Sequence, residues 1–142
     1  MGQTSRPGRV IGLDLGDARI GVSISDDDRL MAVPVGTIHT GAPADLKAVA
    51  ALVEEHRATL VVVGLPLSMS GEQGSAAVKA ESFAGALRSI LAVPVELQDE
   101  RLSTVEAERG LRDAGVTGRE RRKVVDRTAA TVILQAWLDA TR

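Results

Sequence analysis

The stretch VIGLDLGDARIGVSIS, residues 10–25, constrains the fold more than any other part of the chain. Two alternating, β-branched runs flank the four residues GDAR. Four residues are too few for a helical crossover, so the two strands must pair antiparallel through a tight turn. This excludes a doubly wound sheet, in which a helix separates the first two strands. A third run from Leu30 to Thr40 extends the pair into a meander. Leu46, Val49, Val53 and His56 then recur at helical spacing between Pro43 and Arg57, with Pro43 suited to the first helical position. TLVVVGLP is a continuous apolar run of the kind a strand covered on both faces requires. Ala76, Ala80, Phe83, Leu87 and Ile90 form the stripe of a second helix, and VPVELQD is a fifth strand. Two helices close the chain, each opened by a capping box: Ser103 with Glu106, then Thr117 with Glu120. That spacing gives Glu106 and Glu120 structural roles.

The order βββαβαβαα predicts an α/β fold, a mixed five-stranded sheet flanked by helices, with the crossovers after the meander extending the sheet in parallel. It matches the strand order of the ribonuclease-H-like fold. The 142 residues, 44% hydrophobic, suffice for a single domain spanning 1–142, with 1–8 expected as a flexible N-terminal tail. There is no cysteine, which removes disulfides, thiolate metal sites and thiol nucleophiles and fits a reducing compartment. MGQTSRPGRV lacks an apolar signal region, and LVVVGLPL falls far short of the roughly 20 residues of a spanning helix. A cytoplasmic protein with no membrane partner is expected. The net charge of −2 means that any nucleic acid must be held by a local basic patch. Phe83 and Trp137 are the only aromatic residues, too few for base-stacking platforms. Recognition through shape and phosphate stays open.

Alternation along the first strand places Ile11, Leu13 and Leu15 on one face and Val10, Gly12, Asp14 and Gly16 on the other. Asp14 thus shares its face with two glycines, which leave a hollow where a ligand can approach. A carboxylate there must be protonated, hydrogen-bonded or neutralised by a cation. A metal ion is the functional reading, and a strand-end Asp bonding turn amides is the structural one. At the end of the fifth strand Asp99 aligns with Val95 and Leu97, and Glu100 with Glu96 and Gln98, so periodicity favours neither acid as the inward one. Asp126 precedes Ala130, Ile133 and Trp137 at intervals of four, three and four, heading a core-facing stripe of the final helix. Upstream, Arg119, Arg121, Arg122 and Lys123 crowd the opening turns of that helix, either as a phosphate seat or as a solvated face. The loop VGLPLSMSGEQG has neither the Gly-Lys-Ser/Thr of a P-loop nor a dinucleotide fingerprint, though the amides of Gly71 and Gly74 suit a phosphate. His39 and His56 lack metal-ligand spacing.

Taken in order, GLDLG, IGVSIS, VVVGLPLSMSG, DERLST and VDRTAATVIL resemble the YqgF/RuvX family over nearly the whole chain. Members are described as Holliday junction resolvases and as nucleases that mature the 5′ end of precursor 16S ribosomal RNA. The resemblance implies that Asp14, Glu100 and Asp126 are the catalytic, metal-binding acids, which decides between Asp99 and Glu100. It implies Mg²⁺ or Mn²⁺ as cofactor, one ion or a pair about 3.5–4 Å apart. Arg101 with Arg119, Arg121, Arg122 and Lys123 would contact nucleic acid: precursor ribosomal RNA by preference, branched DNA as the alternative, with a homodimer allowed. The chain departs from the family pattern at Ser68, where Asn is common, at Arg127, where a small residue is common, and at Ala129 and Ala130, where classical junction resolvases carry a further acid. Two readings of other classes compete. One is a noncatalytic nucleic-acid-binding adaptor, and the other an actin-like, ATPase-type nucleotide binder, whose first phosphate loop also reads D-x-G.

Overall fold

A computed structural model describes residues 6–68, 71, 73–102 and 128–142. Strands β1 (Val10–Leu15), β2 (Arg19–Ser25) and β3 (Ala32–His39) form the meander. Helix α1 (Ala44–His56), strand β4 (Leu60–Leu65), helix α2 (Ser75–Ile90) and strand β5 (Val95–Asp99) follow. A single 3-10 turn, Glu100–Leu102, prolongs β5, and helix α3 (Ala129–Ala140) ends the chain. The sheet order is β3-β2-β1-β4-β5, with β1 antiparallel to β2 and parallel to β4, and β5 parallel to β4. The mixed sheet therefore matches the expectation. β3 starts later than expected because the Asp26 carboxylate accepts from the N–H groups of Leu30 (2.8 Å) and Met31 (2.9 Å), holding both in a turn.

The two sheet faces carry separate cores. Ile11, Leu13, Ile20, Val22, Val61 and Val63 pack with Val49 and Val53 of α1 and with Ala80, Ala84 and Leu87 of α2. On the opposite face Val10, Leu60 and Val62 meet Ile133, Leu134, Trp137 and Leu138 of α3. Ile133, Leu134 and Leu138 are fully buried, and each such side chain contributes about 1.5–3 kcal/mol by leaving water. Trp137 donates to Glu96 Oε1 at 3.3 Å, and the Arg29 guanidinium lies 5.5 Å from its ring centroid. Arg29 also donates to the carbonyls of Gly8 (2.9 Å) and Pro7 (3.2 Å), pinning those residues to the sheet.

Two sequence expectations shift. The inward stripe of α2 is Ala77, Ala80, Ala84 and Leu87, with Ile90 half exposed. Small side chains let the helix sit close to the sheet, so the stripe follows the alanines rather than the larger residues. The last helix begins only at Ala129: Thr128 is its N-cap, in extended conformation, with its hydroxyl accepting from Thr131 N–H at 3.2 Å. Ala130, Ile133 and Trp137 lie on this helix as expected. Asp126, the basic residues Arg119, Arg121, Arg122 and Lys123, and both capping boxes lie outside the described residues.

Candidate active site

Asp14 stands on β1 on the face covered by α3, half-buried. Its cross-strand partner on β2 is Gly21, where an added Cβ would meet Ala130 Cβ at 3.5 Å and Asp14 Cβ at 3.8 Å. The first turn of α3 thus sits beside Asp14, and Gly21 makes the room. On the other side of β1, Leu13 pairs with Val63, which puts Gly64 of β4 level with Asp14. Asp14 is therefore flanked by a glycine on each neighbouring strand. Gly16, expected to widen the same hollow, serves the hairpin instead: its N–H donates to Arg19 C=O at 2.9 Å, and a Cβ there would lie 2.6 Å from that oxygen.

Gly64 is where the second acid arrives. A Cβ on Gly64 would stand 3.2 Å from Glu100 Oε2 and 3.5 Å from its Cδ, so the Glu100 carboxyl lies directly over this glycine. Neighbouring strands are about 4.8 Å apart, which places that carboxyl one strand over from Asp14 on the same face. Glu100 is 9% exposed. The alternation of β5 explains its direction. Val95 and Leu97 belong to the core under α1 and α2, whereas Glu96 bonds Trp137 of α3, and the 3-10 turn carries Glu100 onward on the α3 side.

Asp99 faces the other way and is engaged by Arg101. Its carboxylate accepts from Arg101 Nη2 at 2.7 Å, from Nε at 3.0 and 3.1 Å, and from the Arg101 backbone N–H at 2.9 Å. The guanidinium holds the Asp99 carboxyl below the usual carboxylate range, and the carboxylate in turn raises Arg101. Arg101 also reaches the glycine-bearing loop after β4, with Nη1 3.4 Å from the position of a Cβ on Gly71. Gly71 has φ +87 and donates to Ser68 C=O at 2.8 Å, closing a turn of that loop.

The structure thus brings Asp14 and Glu100 together at the carboxyl ends of β1 and β5, with Arg101 alongside. Sequence reading missed Gly21 and Gly64, the residues that make space for both acids. A glycine interrupting the β-branched run of β4 was the available signal, since strand-interior glycine marks a close approach.

The model of the family described as RuvX, Holliday junction resolvase, matches residues 8–140. The chain belongs to the RuvX family. A Myxococcus xanthus relative is 50% identical over 94% of this chain and 89% of its own length. A Rhodococcus jostii relative is 48% identical, covering 93% and 78%, and a Roseiflexus relative is 41% identical, covering 98% and 99%. All three bear the name "Putative pre-16S rRNA nuclease". Among solved structures, T. thermophilus RuvC in complex with a Holliday junction substrate superposes with a TM-score of 0.58 over 94% of this chain and 95% of that one. At 16% identity that likeness shows the fold, the ribonuclease-H-like architecture that the strand order predicts.

Hard oxygen donors such as Asp14 and Glu100 suit a small divalent cation. Among the described residues no three acidic, histidine or cysteine side chains gather into a metal site. By the chemistry of their oxygen donors, the two acids fit part of a cation's coordination sphere.

Proposed function

We propose that the chain is an endonuclease that hydrolyses phosphodiester bonds in structured nucleic acid with the help of Mg²⁺ or Mn²⁺, and that its substrate is precursor 16S ribosomal RNA. The observation that carries this reading is the Glu100 carboxyl laid over Gly64 beside Asp14. Two acids from separate strand ends share a face cleared of side chains by Gly21 and Gly64, and the names of the relatives agree with such chemistry.

Asp14 and Glu100 would hold the cation, joined by Asp126, which stands two residues before Thr128 in the sequence. A bound divalent cation supplies a water of lowered pKa and offsets charge developing on the phosphate. The chain's own contribution is to fix the two carboxylates and to seat the substrate. Arg101 would bind phosphate next to them, and Arg119, Arg121, Arg122 and Lys123 would extend that contact along the backbone. No helix among the described residues is long and apolar enough to cross a membrane.

Branched DNA is the second reading, favoured by the family description and by the RuvC fold. The purified chain, offered precursor 16S RNA, single-stranded RNA and a four-way DNA junction side by side with Mg²⁺ or Mn²⁺, is expected to cut the precursor and to stop in EDTA. Cutting of the junction alone would transfer the activity to DNA. Blank lanes with every substrate and both metals would overturn the nuclease reading in favour of a binding adaptor.

Gly64→Ala tests the geometry. The added methyl would stand 2.7 Å from Ile133 Cδ1 and 3.2 Å from Glu100 Oε2, pressing the acid off its seat. Small misplacements of reacting groups are costly, so cleavage should fall about tenfold or more while the thermal unfolding transition remains cooperative. Wild-type cleavage by this variant would show that the Glu100 position does not matter.

A further inference from the structure

We propose that Arg19, Thr37 and His39 form a seat for nucleic-acid backbone on the β2–β3 side of the acid pair, with Arg19 holding a phosphate next to the one being cleaved. The identity of the ligand rests on the nuclease reading, and the seat itself on strand register.

Two contacts fix which residues of β2 face α3. Ser23 Oγ donates to Ala130 C=O at 2.8 Å, and a Cβ on Gly21 would meet Ala130 Cβ at 3.5 Å. Arg19 is the next residue on that face. Because Gly21 pairs with Asp14 of β1, Arg19 is the diagonal neighbour of Asp14, backbone to backbone at about 7–8 Å. Across the other edge of β2, Gly21 pairs with Thr37 and Arg19 with His39, so both β3 residues share the face. Helix α3 begins at Ala129, beside Gly21, and Arg19, Thr37 and His39 are all exposed.

The charges of the hairpin leave this face open to an anion. Asp17, the acid nearest Arg19 in sequence, lies 3.8 Å from Lys79 Nζ of α2, a helix of the opposite face. Arg19 makes no ion pair among the described residues. Its guanidinium offers five donors in a fixed fork, and the Thr37 hydroxyl and the His39 ring add donors suited to phosphate and sugar oxygens. β3 stands two strands from β1, roughly 10 Å away. The row therefore runs across the strands, and a backbone passing over Glu100 and Asp14 would continue onto it.

A merely solvated surface makes a different prediction. Removing the Arg19 charge would then act only through net charge, as the loss of any exposed lysine does.

The test compares the wild type with Arg19→Ala, Arg19→Lys, His39→Ala and a charge control, Lys47→Ala, on the exposed side of α1. Each is titrated in EDTA, at several salt concentrations, into a fluorescein-labelled hairpin RNA and a DNA hairpin of the same sequence. Each is then assayed for kcat and KM on whichever substrate the wild type cuts. On each hairpin that the wild type binds, Arg19→Ala is expected to weaken binding about fivefold and to lower the salt slope by about one, while Arg19→Lys keeps the slope. His39→Ala should weaken binding about threefold, and Lys47→Ala should stay within about twofold of the wild type. KM should rise in both seat variants with kcat changed less than about threefold, the mark of lost uniform binding. Equal losses in Arg19→Ala and Lys47→Ala, unchanged binding by Arg19→Ala or His39→Ala, a loss confined to one of two hairpins that both bind, or a wild type that binds neither would each overturn the seat. These readouts do not depend on cleavage. A wild type that cuts nothing but shows the expected binding pattern defeats the nuclease reading and leaves the seat standing, whereas cleavage with binding untouched by Arg19→Ala removes the seat and leaves the nuclease.

Discussion

Asp14→Asn is expected to lose at least about a hundredfold of cleavage activity while the protein folds as before. Asparagine has the shape of aspartate, so the half-buried position beside Gly21 and Ala130 is filled as in the wild type. What changes is charge: a neutral amide is a poor ligand for a hard divalent cation. Outer-shell partners of metal ligands typically cost ten- to a hundredfold when removed, and a ligand itself should cost more. Because the amide is isosteric with the carboxylate, the thermal midpoint measured in EDTA is the control that separates lost chemistry from lost folding. Loss of activity with a preserved midpoint supports the assignment. Full activity, or activity lost only because the variant unfolds, contradicts it.

Gly12→Val is expected to have the largest effect on stability. Gly12 lies on β1 under α3, where a Cβ would stand 2.6 Å from Ser23 Oγ and 2.7 Å from Leu134 Cβ. Neither neighbour can withdraw cheaply. Leu134 is fully buried, and Ser23 Oγ donates to the Ala130 carbonyl at 2.8 Å, tying the first turn of α3 to β2. Valine would lift the helix and break that bond. Overpacking of about 1–3 kcal/mol and a lost buried hydrogen bond of about 1 kcal/mol together make a loss of roughly 3 kcal/mol. For a domain of this size that lowers the midpoint by about 10 °C. Because Ala130 also flanks Gly21 beside Asp14, the lifted helix should reduce activity even well below the melting range. An unchanged thermal midpoint would show that α3 is not seated on β1 as described.

The parts of the fold that local rules dictate were legible in the chain. GDAR is too short for a crossover, so the antiparallel start and the mixed sheet followed. The unbroken apolar run of β4 announced a strand with helices on both faces. The phase of α2 was not legible, because large apolar residues dominate a sequence pattern whereas alanines decide how closely a helix can lie on a sheet. The helix start at Ala129 was not legible either, because the apolar spacing of the sequence does not mark it; the hydroxyl of Thr128, accepting from Thr131 N–H, does.

The site was half legible for a related reason. Alternation gave Asp14 its face, but choosing between Asp99 and Glu100 required knowing which side of β5 carries α3. The bond from Trp137 to Glu96 answers that, linking residues far apart in sequence. In the same way, Gly21 and Gly64 become neighbours of Asp14 only through strand register.

Whether the two acids hold a cation is read directly from Mn²⁺ binding to the free protein, followed by electron paramagnetic resonance of the unbound ion. Saturable binding by the wild type is expected, weakened more than about tenfold in Glu100→Gln and in Asp14→Asn, with Asp99→Asn unaffected. Equal Mn²⁺ affinity in the wild type and in both acid variants would contradict it.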